Sequence, residues 1–504
     1  MKKLLVFPFA LATVFAYAKI DMGTPFTDGA ILQRQRQVPV WGTAEPLSKV
    51  TVEFADARVS TNADDKGKWE VFLPSMEASK DSRVMRVKEI KEGFIFDTVT
   101  DVLEVNDVLV GEVWMCSGQS NTECPIWGNG TRYRDGWGAM MLLSTKKNFV
   151  RFVKNARQPS VTARYDYKAR WVAATPEMYE LYKKGTALPS AMGYYFALEI
   201  ANALDIPVGI VDSSWGGTNI DAWTPPSGYE GIRQLDDVAS LPLLDSKAFD
   251  AAKKKGGAYE GKRIYGGWNQ QPAALWNGMV AAYAPMACRG FIWYQGCHNA
   301  GESHRYAAKM HALYNGWSKE FRNSDMKLYF VQLAPWRSNW MGLVAAQNKF
   351  AAEEENAALA VTADVGNFDD IHPNDKRTVA KRLSLHALKN DYGFSTIKAE
   401  SPVFKSMKIQ GAKVILSFDN VESWYVYADD YSIVPAFEIA DKDGVWHDAK
   451  LQNVEKYGNV KGKDLIISSE KVPNPVKVRY MGKNRTAGTL FNEGNLPLGP
   501  FVGE

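Results

Sequence analysis

Short segments in which apolar and polar residues alternate fill the N-terminal part of the chain. Residues 38–41, 49–54 and 69–73 are rich in β-branched and aromatic side chains, and Gly, Pro and Asp residues stand between them. A period of two with turn residues between the runs is typical of short strands in a half-buried sheet. This pattern predicts an N-terminal β-sandwich-like domain over residues 19–105.

From residue 106 to 397 the pattern changes to continuous apolar runs that alternate with stretches of helical spacing. Uninterrupted apolar runs are typical of strands buried on both faces of a sheet. Helical spacing is clearest in residues 190–204 and 304–321. The alternation of strands and helices predicts an α/β domain with a parallel sheet. The predicted strands are residues 107–115, 208–212, 290–294 and 327–333.

Short alternating segments return after residue 397. Residues 413–418, 464–468 and 476–480 have the pattern of strands, so a second β-sandwich-like domain is predicted over residues 398–504. The length of 504 residues agrees with several domains, because single cores rarely grow beyond about 300 residues. The predicted fold class is therefore α/β, with a parallel-sheet core flanked by N-terminal and C-terminal β domains.

Residues 1–18 have the organisation of a signal peptide. Lys2 and Lys3 form a basic start, residues 4–15 form an apolar run, and a small-x-small cleavage site ends at Ala18. The run is too short for a transmembrane helix, and no later run is long enough. We therefore expect export, to the periplasm or out of the cell, and no membrane span.

Charge and cysteine content narrow the range of partners. The formal net charge of +3 gives no reason to expect nucleic acid or an anionic membrane as a partner. The 4 cysteines lack the paired spacing of zinc ligands, so no metal site is predicted. The 16 tryptophans either pack in the core or stack on the C–H faces of sugar rings.

Polar residues follow the predicted strand 107–115, from Cys116 to Asn121. The carboxyl ends of parallel strands are where α/β proteins gather reactive groups. A Ser on a Gly-containing turn between a strand and a helix can expose its hydroxyl, and the helix start supplies free N–H groups and positive potential. Ser120 is therefore the candidate nucleophile; the alternative is an ordinary N-cap serine.

Two later strand ends carry groups suited to stabilising an oxyanion. Gly216 and Gly217 follow the second predicted strand, and paired glycines let backbone N–H groups approach a ligand closely. Gln295 and Asn299 follow the third and carry side-chain amides that can donate hydrogen bonds. The alternative for the glycines is a tight turn.

A histidine with neighbouring carboxylates lies well downstream, in residues 369–373. His372 is suited to general-base work, because a carboxylate can hold its tautomer while the other ring nitrogen takes the serine proton. Asp369 and Asp370 are both close enough in sequence to supply that carboxylate.

Together these segments resemble the SGNH-hydrolase pattern, and specifically the sialate O-acetylesterase family. The resemblance implies a flavodoxin-like parallel sheet, a serine esterase mechanism and no metal or organic cofactor. Flanking similarities extend it, in the same order, over nearly the whole mature chain. The matching stretches are residues 111–121, 215–218, 293–296 and 370–373.

The resemblance also implies a role for each candidate. Ser120 is the nucleophile and His372 is the base. The oxyanion donors are the Ser120 N–H, the N–H of Gly216 or Gly217, and the side-chain amide of Gln295. Asn299 carries a second amide suited to the same task.

The carboxylate that orients His372 is open between two residues. The general SGNH spacing selects Asp369, three residues before the histidine, whereas the family's Asp-Ile-His-Pro motif selects Asp370. We favour Asp369 for its spacing and keep Asp370 as the alternative.

The sequence departs from the family pattern near the nucleophile. Thr122 stands where the family usually has Met, and Cys297 stands where it has Glu. Cys124 and Cys297 either form a disulfide that braces the mouth of the site or are two unrelated thiols.

The expected activity is removal of O-acetyl groups from a carbohydrate through an acetyl-enzyme intermediate. The expected partner is an acetylated sugar or polysaccharide. One alternative is an esterase for acetylated xylan or another plant polysaccharide. Another is a non-catalytic carbohydrate-binding protein on an esterase scaffold, which the altered residues 295–299 allow.

Overall fold

The chain folds as a mixed α/β protein with one large central sheet and several smaller β-sheets. The computed structural model describes residues 19–93, 96–126, 149–176, 178, 188–260, 262–263, 266–427, 436–483 and 486–504. The predicted signal peptide, residues 1–18, lies outside the described residues. Within them, no helix combines the length and the apolar character needed to cross a bilayer.

The N-terminal region forms strands where the alternating pattern predicts them. Trp69, Val71 and Leu73 are buried, while the residues between them are more exposed, as expected for a sheet with one covered face. The strands are β1 (Asp21–Met22), β2 (Ile31–Gln33), β3 (Val38–Thr43), β4 (Lys49–Phe54), β5 (Ala57–Asn62), β6 (Lys68–Leu73) and β7 (Ser79–Lys91).

One long strand, β8 (Thr98–Gly118), joins the N-terminal region to the central sheet. Its first part pairs antiparallel with β7, and residues 108–118, which enter the central sheet, are all buried. A single hydrophobic core also runs from Ile20 to Leu388. The predicted boundary at residue 105 therefore lies inside one continuous strand.

The part of the central sheet that the strands after β8 form with the second half of β8 is parallel except at one edge, as the apolar runs predict. Its strand order is β10-β9-β11-β8-β14-β15-β16, and β10 is antiparallel to its neighbour. Gly118 at the end of β8 pairs with Ser214 and with Tyr294, so the turns that follow these strands lie at one edge. The strands of this region are β9 (Val150–Lys154), β10 (Val172–Ala173), β11 (Val208–Ser214), β12 (Ala258–Tyr259), β13 (Lys262–Arg263), β14 (Gly290–Tyr294), β15 (Lys327–Val331) and β16 (Ala357–Ala360).

Helices connect the strands of the central sheet. Three of the described helices begin with side-chain caps: Ser190 accepts a hydrogen bond from the N–H of Gly193, Asp245 accepts one from Ala248, and Asp375 accepts one from Thr378. The helices are α1 (Ser120–Glu123), α2 (Ala191–Leu204), α3 (Asp236–Ala239), α4 (Ser246–Lys254), α5 (Ser303–Glu320), α6 (Met341–Glu353) and α7 (Lys376–Asp391).

The C-terminal region is again made of short strands, and those predicted at 413–418, 464–468 and 476–480 are confirmed. Its buried side chains, among them Trp424 and Phe437, form a hydrophobic cluster separate from the main core. The strands are β17 (Val403–Gln410), β18 (Lys413–Asp419), β19 (Trp424–Val426), β20 (Phe437–Ala440), β21 (His447–Asp448), β22 (Lys450–Leu451), β23 (Leu465–Ser468), β24 (Lys477–Tyr480), β25 (Leu490–Asn492) and β26 (Phe501–Gly503).

Candidate active site

The turn after β8 places a serine at the carboxyl edge of the sheet. Gly118 has φ of +136°, and a Cβ there would lie 2.4 Å from the carbonyl oxygen of Tyr294. Gln119 is extended, with φ of −104° and ψ of −157°, and Ser120 starts α1 directly after it. This abrupt change from strand to helix leaves the hydroxyl of Ser120 and the first N–H groups of the helix at the sheet edge.

Thr122, which replaces the usual Met of the family pattern, has a structural place in this turn. Its side chain is fully buried, and its Oγ1 lies 3.2 Å from the carbonyl oxygen of Ser117 and 3.0 Å from that of Tyr294. Because its hydroxyl donates to the carbonyls at these strand ends, Thr122 stabilises the turn.

Ser120 and His372 meet although 252 residues separate them in the sequence. His372 Nε2 lies 2.9 Å from Ser120 Oγ, which is hydrogen-bond distance. On the other side of the ring, Nδ1 lies 2.9 Å from Asp370 Oδ1. The His372 side chain is 18% exposed and that of Asp370 is 29% exposed. The three groups form the hydroxyl–imidazole–carboxylate chain that activates a serine.

The preference for Asp369 as the orienting carboxylate is wrong, and Asp370 of the family motif takes that place. Asp370 Oδ1 also accepts a hydrogen bond from the backbone N–H of His372 at 3.0 Å. A two-residue spacing closes this Asx turn and lets the same oxygen reach the imidazole. Asp369 is exposed, and its N–H donates to Asn367 Oδ1 at 3.0 Å.

The backbone donors predicted for an oxyanion differ in what they contact. The N–H of Gly216 donates to Glu123 Oε2 at 2.8 Å, so it is already engaged. Gly217 has φ of +71°, and a Cβ there would meet no atom within 4 Å, so this residue borders open space. Ser120 is the first residue of α1, where a backbone N–H has no partner inside the helix.

The two predicted side-chain donors are engaged inside the protein instead. Gln295 is fully buried, and its Nε2 donates to the carbonyl of Thr218 at 3.0 Å and to Asn299 Oδ1 at 2.7 Å. Asn299 Nδ2 donates to Glu302 Oε2 at 3.0 Å. These amides brace the loops after β11 and β14, and the prediction that they donate to an oxyanion is not supported by their contacts.

A charged pair that sequence reasoning missed lies beside Ser120, the candidate nucleophile. Arg157 Nε donates to Glu123 Oε1 at 2.6 Å, and its guanidinium lies 5.9 Å from the ring centroid of Trp215. A Cβ on Gly216 would lie 3.2 Å from Glu123 Oε2 and 3.1 Å from the Cβ of Ser120, so this carboxylate is close to the Ser120 side chain. Arg157 lies about forty residues after the motif of residues 116–121, and no local sequence pattern identifies it as part of the site.

A second missed feature lies beneath the nucleophile turn. Asn121 Nδ2 donates to the carbonyl of Ile371 at 3.0 Å, and Lys376 Nζ donates to Asn121 Oδ1. Both side chains are buried. A lysine four residues after His372, at the first position of α7, is the one sequence signal that pointed here.

Cys124 and Cys297 are free thiols in the structure, so the disulfide suggested for them is not formed. Burial raises the pKa of the Cys297 thiol to about 12 and also raises that of Cys124. Both thiols are therefore protonated at neutral pH and poorly reactive. Among the residues that the structure describes, no group of three or more His, Cys, Asp or Glu side chains is arranged to hold a metal ion.

Known proteins are similar in sequence to this chain over most of its length. A family model described as carbohydrate esterase, sialic acid-specific acetylesterase, matches residues 110–238 and 257–388. Sialate O-acetylesterase from Homo sapiens is 25% identical over 446 residues, which cover 82% of this chain and 79% of that protein. The Mus musculus protein of the same name is 23% identical over 443 residues, covering 81% and 80%.

A solved structure agrees in fold as well as in sequence. The crystal structure of a carbohydrate acetylesterase from Xanthomonas citri matches with a TM-score of 0.78 and 30% identity, over 96% of this chain and 99% of that one. The similarity thus includes both β regions as well as the central sheet. On the sequence and structural matches together, this chain belongs to the carbohydrate esterase family of sialic acid-specific acetylesterases.

Proposed function

We propose that the protein is a serine esterase that removes O-acetyl groups from a carbohydrate, like the sialate O-acetylesterases, through an acetyl-enzyme intermediate. The observation that carries this proposal is the 2.9 Å separation between His372 Nε2 and Ser120 Oγ, with Asp370 on the other ring nitrogen. The turns of residues 119–121 and 215–218 at one edge of a parallel sheet support an SGNH-type, flavodoxin-like catalytic core.

The geometry supports a two-step reaction. His372 takes the proton of Ser120 Oγ as that oxygen attacks the acetyl carbonyl. The tetrahedral intermediate collapses, the C–O bond to the sugar breaks, and His372 returns its proton to the leaving sugar oxygen. His372 then takes a proton from water as that water attacks the acetyl-enzyme. The bond between Ser120 Oγ and the acetyl carbon breaks, His372 returns the proton to Ser120 Oγ, and acetate leaves. Asp370 holds the imidazole in the tautomer with Nδ1–H and stabilises its charged form.

The negative charge of the intermediate needs hydrogen-bond donors at the sheet edge. The Ser120 N–H at the start of α1 and the N–H of Gly217 are the donors we assign. The N–H of Gly216 becomes a third only if Glu123 moves away from it.

The substrate we propose is an acetylated sugar, and we propose export through the N-terminal signal peptide, since residues 1–18 have its sequence pattern. The alternative of a non-catalytic binding protein rested on the altered residues 295–299. Gln295 and Asn299 in that segment contact the neighbouring loops rather than Ser120 or His372.

Acetate release tests the proposal directly. The purified protein is assayed on p-nitrophenyl acetate, on O-acetylated sialic acid and on acetylated xylan. Ser120→Ala is expected to lower turnover on each hydrolysed substrate by about a thousandfold or more, while Ser160→Ala, at a serine outside the site, leaves it unchanged. A serine-directed phosphonate should label the wild type at Ser120 and fail to label the variant. Full activity in Ser120→Ala would refute the mechanism. Acetate release from acetylated xylan but not from O-acetylated sialic acid would indicate that the natural substrate is a plant polysaccharide.

A further inference from the structure

Lys376 is a buried cation without a carboxylate partner in the described part of the chain. Its side chain is fully buried, its Nζ donates to Asn121 Oδ1, and it lies 5.3 Å from the ring centroid of Tyr294. Lys309, another buried lysine, has Asp221 at 2.7 Å and Glu302 at 2.9 Å. Burying an unpaired charge is costly, which makes Lys376 a liability for stability.

The position of Lys376 within its helix adds to that cost. It is the first residue of α7, where the helix dipole places positive potential and favours anions over cations. Burial lowers the pKa of Lys376 to about 8. The titratable groups that face it are the neutral thiols of Cys124 at the end of α1 and Cys297 after β14, and the carboxyl groups of Asp370 and Asp375 in the loop before α7. A residue that costs stability in two ways is expected to serve another purpose.

Asn121 is the residue through which Lys376 reaches the catalytic groups. Asn121 follows Ser120, and Ile371, whose carbonyl accepts from Asn121 Nδ2 at 3.0 Å, precedes His372. One buried amide thus joins the turn that carries the nucleophile to the loop that carries the base. An ammonium group only donates hydrogen bonds, so it holds the amide oxygen on its own side and turns the amide nitrogen toward Ile371.

We propose that Lys376 is a positioning residue that acts through Asn121 to hold the His372 loop at hydrogen-bond distance from Ser120. This role rests on the proposed esterase function. It assigns to Lys376 no contact with substrate and no proton transfer. Its effect is on geometry, because small displacements of a base from its nucleophile slow the reaction strongly.

The test is to separate activity from stability in Lys376→Met. The long apolar side chain fills the same space without charge, so the melting temperature at pH 7 should stay the same or rise. At the same time kcat on p-nitrophenyl acetate should fall by about ten- to a hundredfold with little change in KM. A residue that merely supports the fold would lower both quantities together.

Two further variants complete the design. Arg382→Met removes another buried cation of α7, which pairs with Asp364 at 2.7 Å; it should lower the melting temperature and leave kcat nearly unchanged. Asn121→Leu should slow turnover as Lys376→Met does, and the double variant should be no slower than the worse single variant, because both break one connection.

The outcomes separate this proposal from the esterase mechanism itself. Wild-type kcat in Lys376→Met, or a parallel loss of kcat and melting temperature, would overturn the positioning role while leaving Ser120 as the nucleophile. Full additivity of the two losses in the double variant would also overturn it. If Ser120→Ala keeps its activity, the proposed esterase mechanism is refuted, and the positioning role that rests on it is refuted as well.

The wild-type protein should also carry a pH signature of this lysine. The pKa of Lys376 is about 8 in the fold against 10.5 as its ordinary value, so the unfolded chain binds more protons between these pH values. Stability therefore rises with pH across this window. The rise should be smaller in Lys376→Met, measured as melting temperature against pH; an identical rise would contradict the burial of a charged Lys376.

Discussion

Asp370 Oδ1 lies 2.9 Å from His372 Nδ1 and 3.0 Å from the backbone nitrogen of the same residue. One carboxylate oxygen therefore fixes both the orientation of the imidazole and the path of its backbone. We expect Asp370→Asn to lower kcat/KM on p-nitrophenyl acetate by about a hundredfold or more, since an amide can stabilise the wrong tautomer and no longer balances the imidazolium charge.

The neighbouring aspartate is the matched control for this prediction. Asp369 is exposed, and it is Asp370 that lies at hydrogen-bond distance from the imidazole of His372. Asp369→Asn should therefore change kcat/KM by less than about threefold. The opposite ranking of the two variants would return the orienting role to Asp369.

The sequence pattern was sufficient to select Ser120 and His372, which lie at hydrogen-bond distance in the structure, but not to choose the aspartate beside the imidazole. Ser120 and His372 follow from motif identity, because a strand-to-helix turn and an Asp-Ile-His-Pro segment each allow few placements. The preference for Asp369 rested on its spacing, three residues before the histidine. The Asx turn closed by Asp370 changes the direction of the chain, and such local side-chain-to-backbone bonds are hard to foresee from sequence.

The fold was predictable in segments where the apolar residues follow a single clear pattern. Residues 208–214 and 290–294 are buried throughout their strands, which the continuous apolar runs predict. The extent of β8 was not predictable, because the turn-type residues Asn106 and Asp107 stand where burial changes from alternating to continuous and suggest a boundary there, yet the strand runs through them. The hydrogen bond from the Gln295 side chain to the carbonyl of Thr218 joins two distant segments, and no local sequence pattern predicts it.

The pair of Arg157 and Glu123 should tune the charge beside the nucleophile. Glu123 Oε2 accepts the N–H of Gly216, and Arg157 is the cation that balances this carboxylate. Arg157→Gln leaves a negative charge near the position where the oxyanion develops. Because the Arg157 side chain is 54% exposed, solvent weakens the effect, and we expect kcat/KM to fall by about three- to tenfold.

Restoring the charge balance tests the cause of that loss. Adding Glu123→Gln to Arg157→Gln should recover most of the activity, because it removes the unbalanced charge. Arg322, which is 58% exposed and pairs with Glu70, provides a control: Arg322→Gln should behave as wild type. A double variant as slow as Arg157→Gln alone would show that packing on Trp215, rather than charge, explains the loss.

The cysteines should be unreactive in the folded protein and free of disulfides. Burial raises the pKa of Cys288 and of Cys297 to about 12 and raises those of Cys116 and Cys124 as well. Iodoacetamide at pH 7.5 should therefore leave activity nearly intact, because the thiolate is the reactive form.

Counting thiols checks the same prediction without reference to activity. Denaturation without reductant should expose all 4 cysteines to alkylation, as read from the intact mass. An unreduced sample that takes up only two adducts would demonstrate a disulfide, and a digest would show whether it joins Cys124 to Cys297. Dithiothreitol should have no effect on turnover if the thiols are free.

His386 should make the protein less stable in weak acid. Its ring is buried, its Nε2 donates to the carbonyl of Leu359 at 3.2 Å, and it stacks on Tyr329 with centroids 5.9 Å apart. Burial lowers its pKa from 6.5 to about 4. The folded protein thus holds His386 neutral while the unfolded chain binds a proton below pH 6.5, so its contribution to stability is full above pH 6.5 and is lost as pH falls toward 4. The loss is on the order of 3 kcal/mol at most.

His386→Gln separates this titration from the acid sensitivity of the carboxylates. Glutamine keeps a donor for Leu359 but does not titrate, so the melting temperature of the variant should fall less than that of the wild type between pH 6.5 and 4. His304→Gln changes an exposed histidine and should follow the wild-type curve. If His386→Gln also follows the wild-type curve, protonation of this buried ring does not limit stability, and the acid loss must come from groups that carry their charge in the folded state.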